Sequence, residues 1–235
     1  MLTSFSTLSA MALRGGPTTT PIPDAPIHFT FNTSTVSGVT VSSVGTLGSS
    51  MYVKMSPSAS MLSTTKKEGD RSIVGWLPAN TSYMAASDPG SFACYINNCS
   101  VSFWSTGADT NFATYFSIGT TGNPNFSLMA NGATGMCVLY NGTQYNSSAT
   151  PAVFSTSVFA HCVITITSAG QIKTFCNNVN VGTFSATPIT AQQTALYFFK
   201  LLDNTRQYGG KLDCFRFYDK VLSTGEIQAI YTAGL

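Results

Sequence analysis

One stretch limits the possible folds more than any other: Gly210-Lys-Leu-Asp-Cys-Phe-Arg-Phe-Tyr-Asp-Lys-Val-Leu-Ser-Thr-Gly-Glu-Ile-Gln-Ala-Ile-Tyr231. Its first part has the period of a β-strand and its last part the period of a helix. Over residues 211–218, strict alternation predicts Leu212, Cys214 and Tyr218 on one face and Phe215 and Phe217 on the other. Both faces carry apolar side chains, so the strand is expected to be covered on both sides. Ser223 and Glu226 have capping-box spacing: the serine hydroxyl can accept from the Glu226 amide while the glutamate reaches back. Ile227, Ile230 and Tyr231 then share one stripe of the helix, and Gly234 supplies a stop.

This ending resembles the close of laminin G-like, concanavalin A-like jelly-roll domains. Their pattern is Gly-x-(Ile/Leu)-Asp-x-(Val/Phe)-Arg-(Ile/Phe)-Tyr, a basic or polar residue, then Leu-Ser-x-x-Glu-Ile-x-x-Leu-Tyr. Gly210, Leu212, Asp213, Phe215, Arg216, Phe217, Tyr218, Leu222, Ser223, Glu226, Ile227 and Tyr231 occupy its positions. The resemblance implies an all-β fold, a two-sheet antiparallel jelly-roll sandwich with a short C-terminal helix. It does not select a function, because lectins, hydrolases and adhesive modules share this fold.

Composition agrees with a sandwich. Charged residues are only 9% of the chain against 43% hydrophobic, where soluble domains usually carry roughly 25% charged. Ser, Thr, Asn and Gly fill the remaining surface, which suits short strands and polar turns rather than helices. So little charge predicts a chain that sits inside an assembly. The net charge of +2 comes from scattered residues, with Lys66 and Lys67 the one adjacent basic pair, so no nucleic-acid partner is expected. No stretch approaches the roughly 20 apolar residues of a bilayer span. Residues 1–25 lack a basic n-region, are rich in Thr and Pro, and predict an extended N-terminal arm that is either disordered or ordered across a neighbouring subunit, with the sandwich over 26–235.

Residues 27–31 read as the opening aromatic strand, and 35–53 as two or three short ones. Ser100-Val-Ser-Phe-Trp104 resembles a strand of the same domains whose aromatic end packs in the core. Further strands are expected near 112–118, 125–129, 136–140, 159–167, 171–178, 179–184 and 195–202. Gly122-Asn-Pro, Asn131-Gly and Asn177-Asn178 supply turn chemistry between them. His161 stands near a position where relatives carry Trp.

Cys94, Cys99, Cys137, Cys162, Cys176 and Cys214 lack zinc-site spacing. Cys162 and Cys214 lie in core-like runs and read as structural thiols, whereas Cys94 and Cys99 flank a plausible turn and are the best placed for a local bridge. His28 has no second histidine or carboxylate beside it and reads as a hydrogen-bonded structural residue. Glu68 and Asp70 sit in a lysine-flanked loop, a poor place to raise a carboxyl pKa for acid catalysis. Asp213 and Asp219 share the closing stretch, but six extended residues separate them by roughly 20 Å, whereas a retaining glycosidase needs two carboxyls about 5 Å apart. No enzyme is expected.

Binding fits better. Lectins of the resembled fold hold calcium through loop oxygens, which makes Asp109, Asn111 and Asp203 the candidate metal ligands. A sugar platform needs exposed aromatics beside amides, and Tyr140-Asn-Gly-Thr-Gln-Tyr145 is the best such loop, with Tyr140, Asn141 and Tyr145 as candidate carbohydrate contacts. Low charge, the arm and the missing carboxylates therefore predict a non-enzymatic structural or adhesive module of a larger assembly. The resemblance, which extends to surface proteins of large DNA viruses and to adhesins, implies a minor capsid or surface protein of a virion, or a cell-surface protein. The alternative is a calcium-assisted, carbohydrate-binding lectin.

Overall fold

The computed structural model describes residues 20–31, 36–37, 40–46, 52–56, 62–67, 72–74, 83–86, 93–106, 113–120, 123–130, 135–147, 158–199, 201 and 210–234. In chain order the strands are β1 (Ile27–Phe29), β2 (Val36–Ser37), β3 (Thr40–Ser42), β4 (Tyr52–Ser56), β5 (Leu62–Ser63) and β6 (Ser72–Val74). Then come β7 (Tyr83–Ala86), β8 (Cys99–Ser105), β9 (Thr114–Thr120), β10 (Asn123–Ala130), β11 (Met136–Tyr140) and β12 (Thr143–Asn146). The series closes with β13 (Ala160–Ile166), β14 (Gln171–Cys176), β15 (Val179–Ser185), β16 (Ala195–Phe198), β17 (Lys211–Tyr218) and one helix, α1 (Thr224–Ala233).

The strands form two antiparallel sheets, as the jelly-roll reading requires. One runs β15-β14-β13-β8-β17-β6-β5, with β1 also paired to β17; the other runs β12-β11-β10-β9-β16-β7-β4-β3-β2. Between them lies an aromatic core. Phe215 is at its centre, with ring centroids 4.8 Å from Phe198, 5.4 Å from Phe116, 6.3 Å from Phe103 and 6.4 Å from Phe29. These partners come from both sheets, so one side chain ties the two layers together.

The faces of β17 differ from strict alternation. Asp213 lies opposite Trp104 and Arg216 opposite Ser102, so three steps along β17 match two along β8. The extra residue is Cys214, which is held at φ 51°. This β-bulge shifts the phase. Leu212 therefore joins Phe215 and Phe217 in the inter-sheet core, while Tyr218 packs on the outer side with the helix. The Cys214 sulfur lies 3.1 Å from His28 Nε2, which gives His28 the structural contact expected of it.

Helix α1 covers that outer face. Ile227 and Ile230 pack against Val163, Phe175, Tyr218 and Leu222. The Trp104 ring lies 4.9 Å from His161, tilted by 36°, and stacks on Tyr231 at 5.9 Å, and Ser102 Oγ lies 2.8 Å from His161 Nε2. His161 thus fills the expected tryptophan position as a flat platform between sheet and helix. Asp213, fully buried, accepts from the Lys67 amide at 2.7 Å, and Lys67 Nζ sits 4.5 Å over the Trp104 ring.

The capping box forms as read: Glu226 N donates to Ser223 Oγ, and Ser223 N donates to Glu226 Oε2 at 2.9 Å. Lys220 Nζ adds a contact of 2.5 Å to Glu226 Oε1. The Lys220 hydrogen bond first, then the Ser223 amide, hold the Glu226 carboxyl below its ordinary range. A depressed folded-state pKa contributes stability above the unfolded pKa and loses it as pH falls through the folded one. Glu226→Ala is therefore expected to cost about 0.5–1 kcal/mol at neutral pH. The gap to wild type closes in acid, as read from urea denaturation at a series of pH values.

The turns follow their chemistry. Asn141-Gly142 and Asn177-Asn178 join β11 to β12 and β14 to β15 with positive φ at both central residues, as two-residue hairpins demand. Asn123 and Pro124, expected in a turn, instead begin β10 opposite Thr120 and Gly119, with a register shift after the proline that lacks an N–H. Gly122 and Asn131-Gly132 lie outside the described residues.

Candidate functional site

Tyr140 alternates inward with Met136 and Val138 and is fully buried. Its hydroxyl donates to the Ile96 carbonyl at 3.1 Å and accepts from the Ile189 amide at 3.0 Å. Burial pushes its ionisation up, so it stays a donor. Its ring is closed to a ligand, which corrects the expectation of a sugar contact there. Asn141 is exposed at the tip of the β11–β12 turn, and Tyr145 packs on Phe184 at 5.5 Å. Asp109, Asn111 and Asp203 lie outside the described residues, as do Glu68 and Asp70. Among the described residues no group of three or more His, Cys, Asp or Glu could hold a metal.

Tyr140 nevertheless shapes the site. Its hydroxyl pins the segment just before β8, and Cys94 pins the same segment by exchanging backbone hydrogen bonds with Gln193 at 3.0 and 2.8 Å. With Cys94 and Ile96 held inward, the residue between them must face out: Tyr95 is 55% exposed. Asn98 then turns the chain into β8 at φ 79°, a conformation that asparagine tolerates.

Across from this segment, β17 ends and β1 begins. Together they enclose a groove of about 370 Å³ lined by Pro26, Ile27, Thr46, Ala93, Cys94, Tyr95, Asn97, Asn98, Phe217 and Asp219. Its floor is apolar, made by the buried Ile27, Cys94 and Phe217. Its rim carries the Tyr95 phenol, two carboxamides and the Asp219 carboxylate, and among the described residues no hydrogen bond occupies these four side chains. The size is that of a small-ligand site, and an apolar floor with a few convergent polar groups is the usual make-up. A tyrosine face packs on the C–H side of a sugar ring, while amides and a carboxylate take up its hydroxyls. Asp219 is the groove's one carboxylate among the described residues.

Sequence reasoning passed over this groove. Tyr95-Ile-Asn-Asn98 was legible as an aromatic–amide segment, but its flanking cysteines drew attention as a bridge. All six cysteines are buried free thiols. Burial, and for Cys94 also the nearness of Cys99, pushes the ionisation of both upward.

Comparison with solved structures adds relatives in fold. Domain 4 of the extracellular arabinanase AbnA from Geobacillus stearothermophilus, solved with arabinotriose, is 16% identical with a TM-score of 0.63, covering 88% of this chain and 98% of that one. The receptor-binding domain of botulinum neurotoxin type G is 13% identical with a TM-score of 0.63, covering 90% of this chain and 51% of that one. The chain thus spans about half the length of that neurotoxin domain. A pentraxin from Limulus polyphemus is 12% identical with a TM-score of 0.56, covering 68% of this chain and 80% of that one. Comparison with curated protein sequences found no match. The concanavalin A-like lectin/glucanases family model matches residues 78–228. With two such sheets, the closing strand and the capped helix in place, the chain belongs to the concanavalin A-like lectin/glucanase superfamily.

Proposed function

We propose that the protein is a non-enzymatic carbohydrate-binding module whose glycan lies in the Tyr95–Asp219 groove. The observation that carries this reading is the rim itself: an exposed tyrosine, two asparagines and an aspartate converge over an apolar floor with their side chains uncommitted among the described residues. The arabinanase domain solved with arabinotriose supports a sugar ligand for this fold. The scarcity of charge, 9% of residues, supports a setting on a larger assembly, at a virion or cell surface, with residues 1–25 as the arm toward neighbouring subunits.

The test is a glycan array followed by calorimetry on the full chain. Tyr95→Ala is expected to weaken the selected glycan about tenfold or more, the worth of one lost aromatic contact, and Asp219→Asn to weaken it as well. Chelator should leave binding intact, because one carboxylate and two amides fall short of the six to eight oxygens calcium prefers. Chelator-sensitive binding would instead favour the calcium site expected at Asp109, Asn111 and Asp203. A glycan that binds both variants as tightly as wild type removes the groove from the reading.

A further inference from the structure

Cys162 on β13 lies directly opposite Cys176 on β14. The phase of the ladder sets how close they come. In the same register the Asn177 amide donates to the His161 carbonyl at 2.8 Å, and the Thr167 amide to the Gln171 carbonyl at 2.9 Å. Odd-numbered positions of β13 are therefore the hydrogen-bonded pairs, and Cys162–Cys176 is a non-hydrogen-bonded pair. Such pairs bring Cα atoms to about 4.5 Å with their side chains at closest approach, inside the span of about 4.4–6.8 Å that a disulfide bridges. Both side chains belong to the inter-sheet core. Burial pushes the Cys162 thiol up, while its hydrogen bond to Cys176 draws the Cys176 thiol down.

We propose that Cys162 and Cys176 are a covalent cross-linking site, closed into a cross-strand disulfide by a low-molecular-weight disulfide such as oxidised glutathione while the sandwich folds. One of the two cysteines, as its thiolate, attacks one glutathione sulfur, forming a mixed disulfide and releasing one glutathione thiolate, which takes a proton. The other gives its proton to solvent, and its sulfur attacks the first cysteine's sulfur and expels the second glutathione as a thiolate, which takes a proton. Two protein thiols are oxidised to one disulfide as one glutathione disulfide is reduced to two thiols. The bridge staples β14 to β13 beside the Asn177-Asn178 turn, away from the groove of the binding reading, and stands independently of it.

The experiment refolds the full chain in a glutathione redox buffer, then unfolds and alkylates it without reductant and maps the peptides by mass spectrometry. Two of the six cysteines are expected to escape alkylation and to appear as one linked peptide pair carrying Cys162 and Cys176. The single variant Cys176→Ser loses that pair. Alkylation of all six in the refolded wild type overturns the proposal, and so does a linkage that maps elsewhere, such as Cys94 to Cys99.

Discussion

Phe215→Ala is expected to lower the free energy of unfolding by about 3–5 kcal/mol, the range for removing a fully packed phenylalanine. Phe215 is fully buried, and its ring meets Phe29 and Phe103 of its own sheet and Phe116 and Phe198 of the other. Truncation removes the transfer energy of a ring and leaves a void between two layers of paired strands that cannot easily collapse to fill it. Guanidinium denaturation followed by tryptophan fluorescence reads the effect as a shift in midpoint at unchanged slope. A loss below about 1 kcal/mol would mean that the sheets close around the gap, and that no single ring couples them.

Gly170→Ala is the second large effect. Gly170 ends the β13–β14 turn at φ 80°, and a Cβ there would stand 1.9 Å from the Ala186 carbonyl oxygen. The close approach is structural, since the Ala186 amide donates to the Gly170 carbonyl at 2.9 Å. A side chain meets two costs, the left-handed backbone at roughly 1–2 kcal/mol and the displacement of a bonded neighbour at roughly 1–3 kcal/mol. The expected loss is therefore about 2–5 kcal/mol. Gly142 separates the two costs, because it has φ 76° and open space around its missing Cβ. Gly142→Ala should carry the backbone cost alone. Equal losses at the two glycines would remove the Ala186 contact as a cause.

The parts of the fold legible in the sequence were those set by short-range chemistry. The Ser223–Glu226 box and the Asn177-Asn178 turn depend on neighbours within a few positions, and both form. The faces of β17 depart from strict alternation because one residue, Cys214, is looped out against β8, and alternation contains no sign of a bulge that a partner strand imposes. In the sequence, Tyr140 and Tyr145 flank amides and so read as the aromatics of a sugar platform. The alternation of Met136, Val138 and Tyr140 already pointed that ring inward. Tyr95 and Asp219 share a groove only because the chain's closing strand returns beside its opening one. That meeting belongs to topology, and no local pattern announces it.

The same return governs how the molecule is made. β17 lies inside its sheet, with β8 on one side and β6 and β1 on the other, and His28 meets Cys214 from 186 positions away. A growing polypeptide leaving the ribosome has all the flanking strands before it has the one that joins them. Until β17 is synthesised, β8 and β1 present edges with open hydrogen-bonding groups, and the aromatic layer lacks its central ring. Contacts of such long range form slowly and leave sticky surface exposed in the meantime. The sandwich therefore closes only once β17 has been synthesised, and the interval before that is when the waiting edges are most open to wrong pairing.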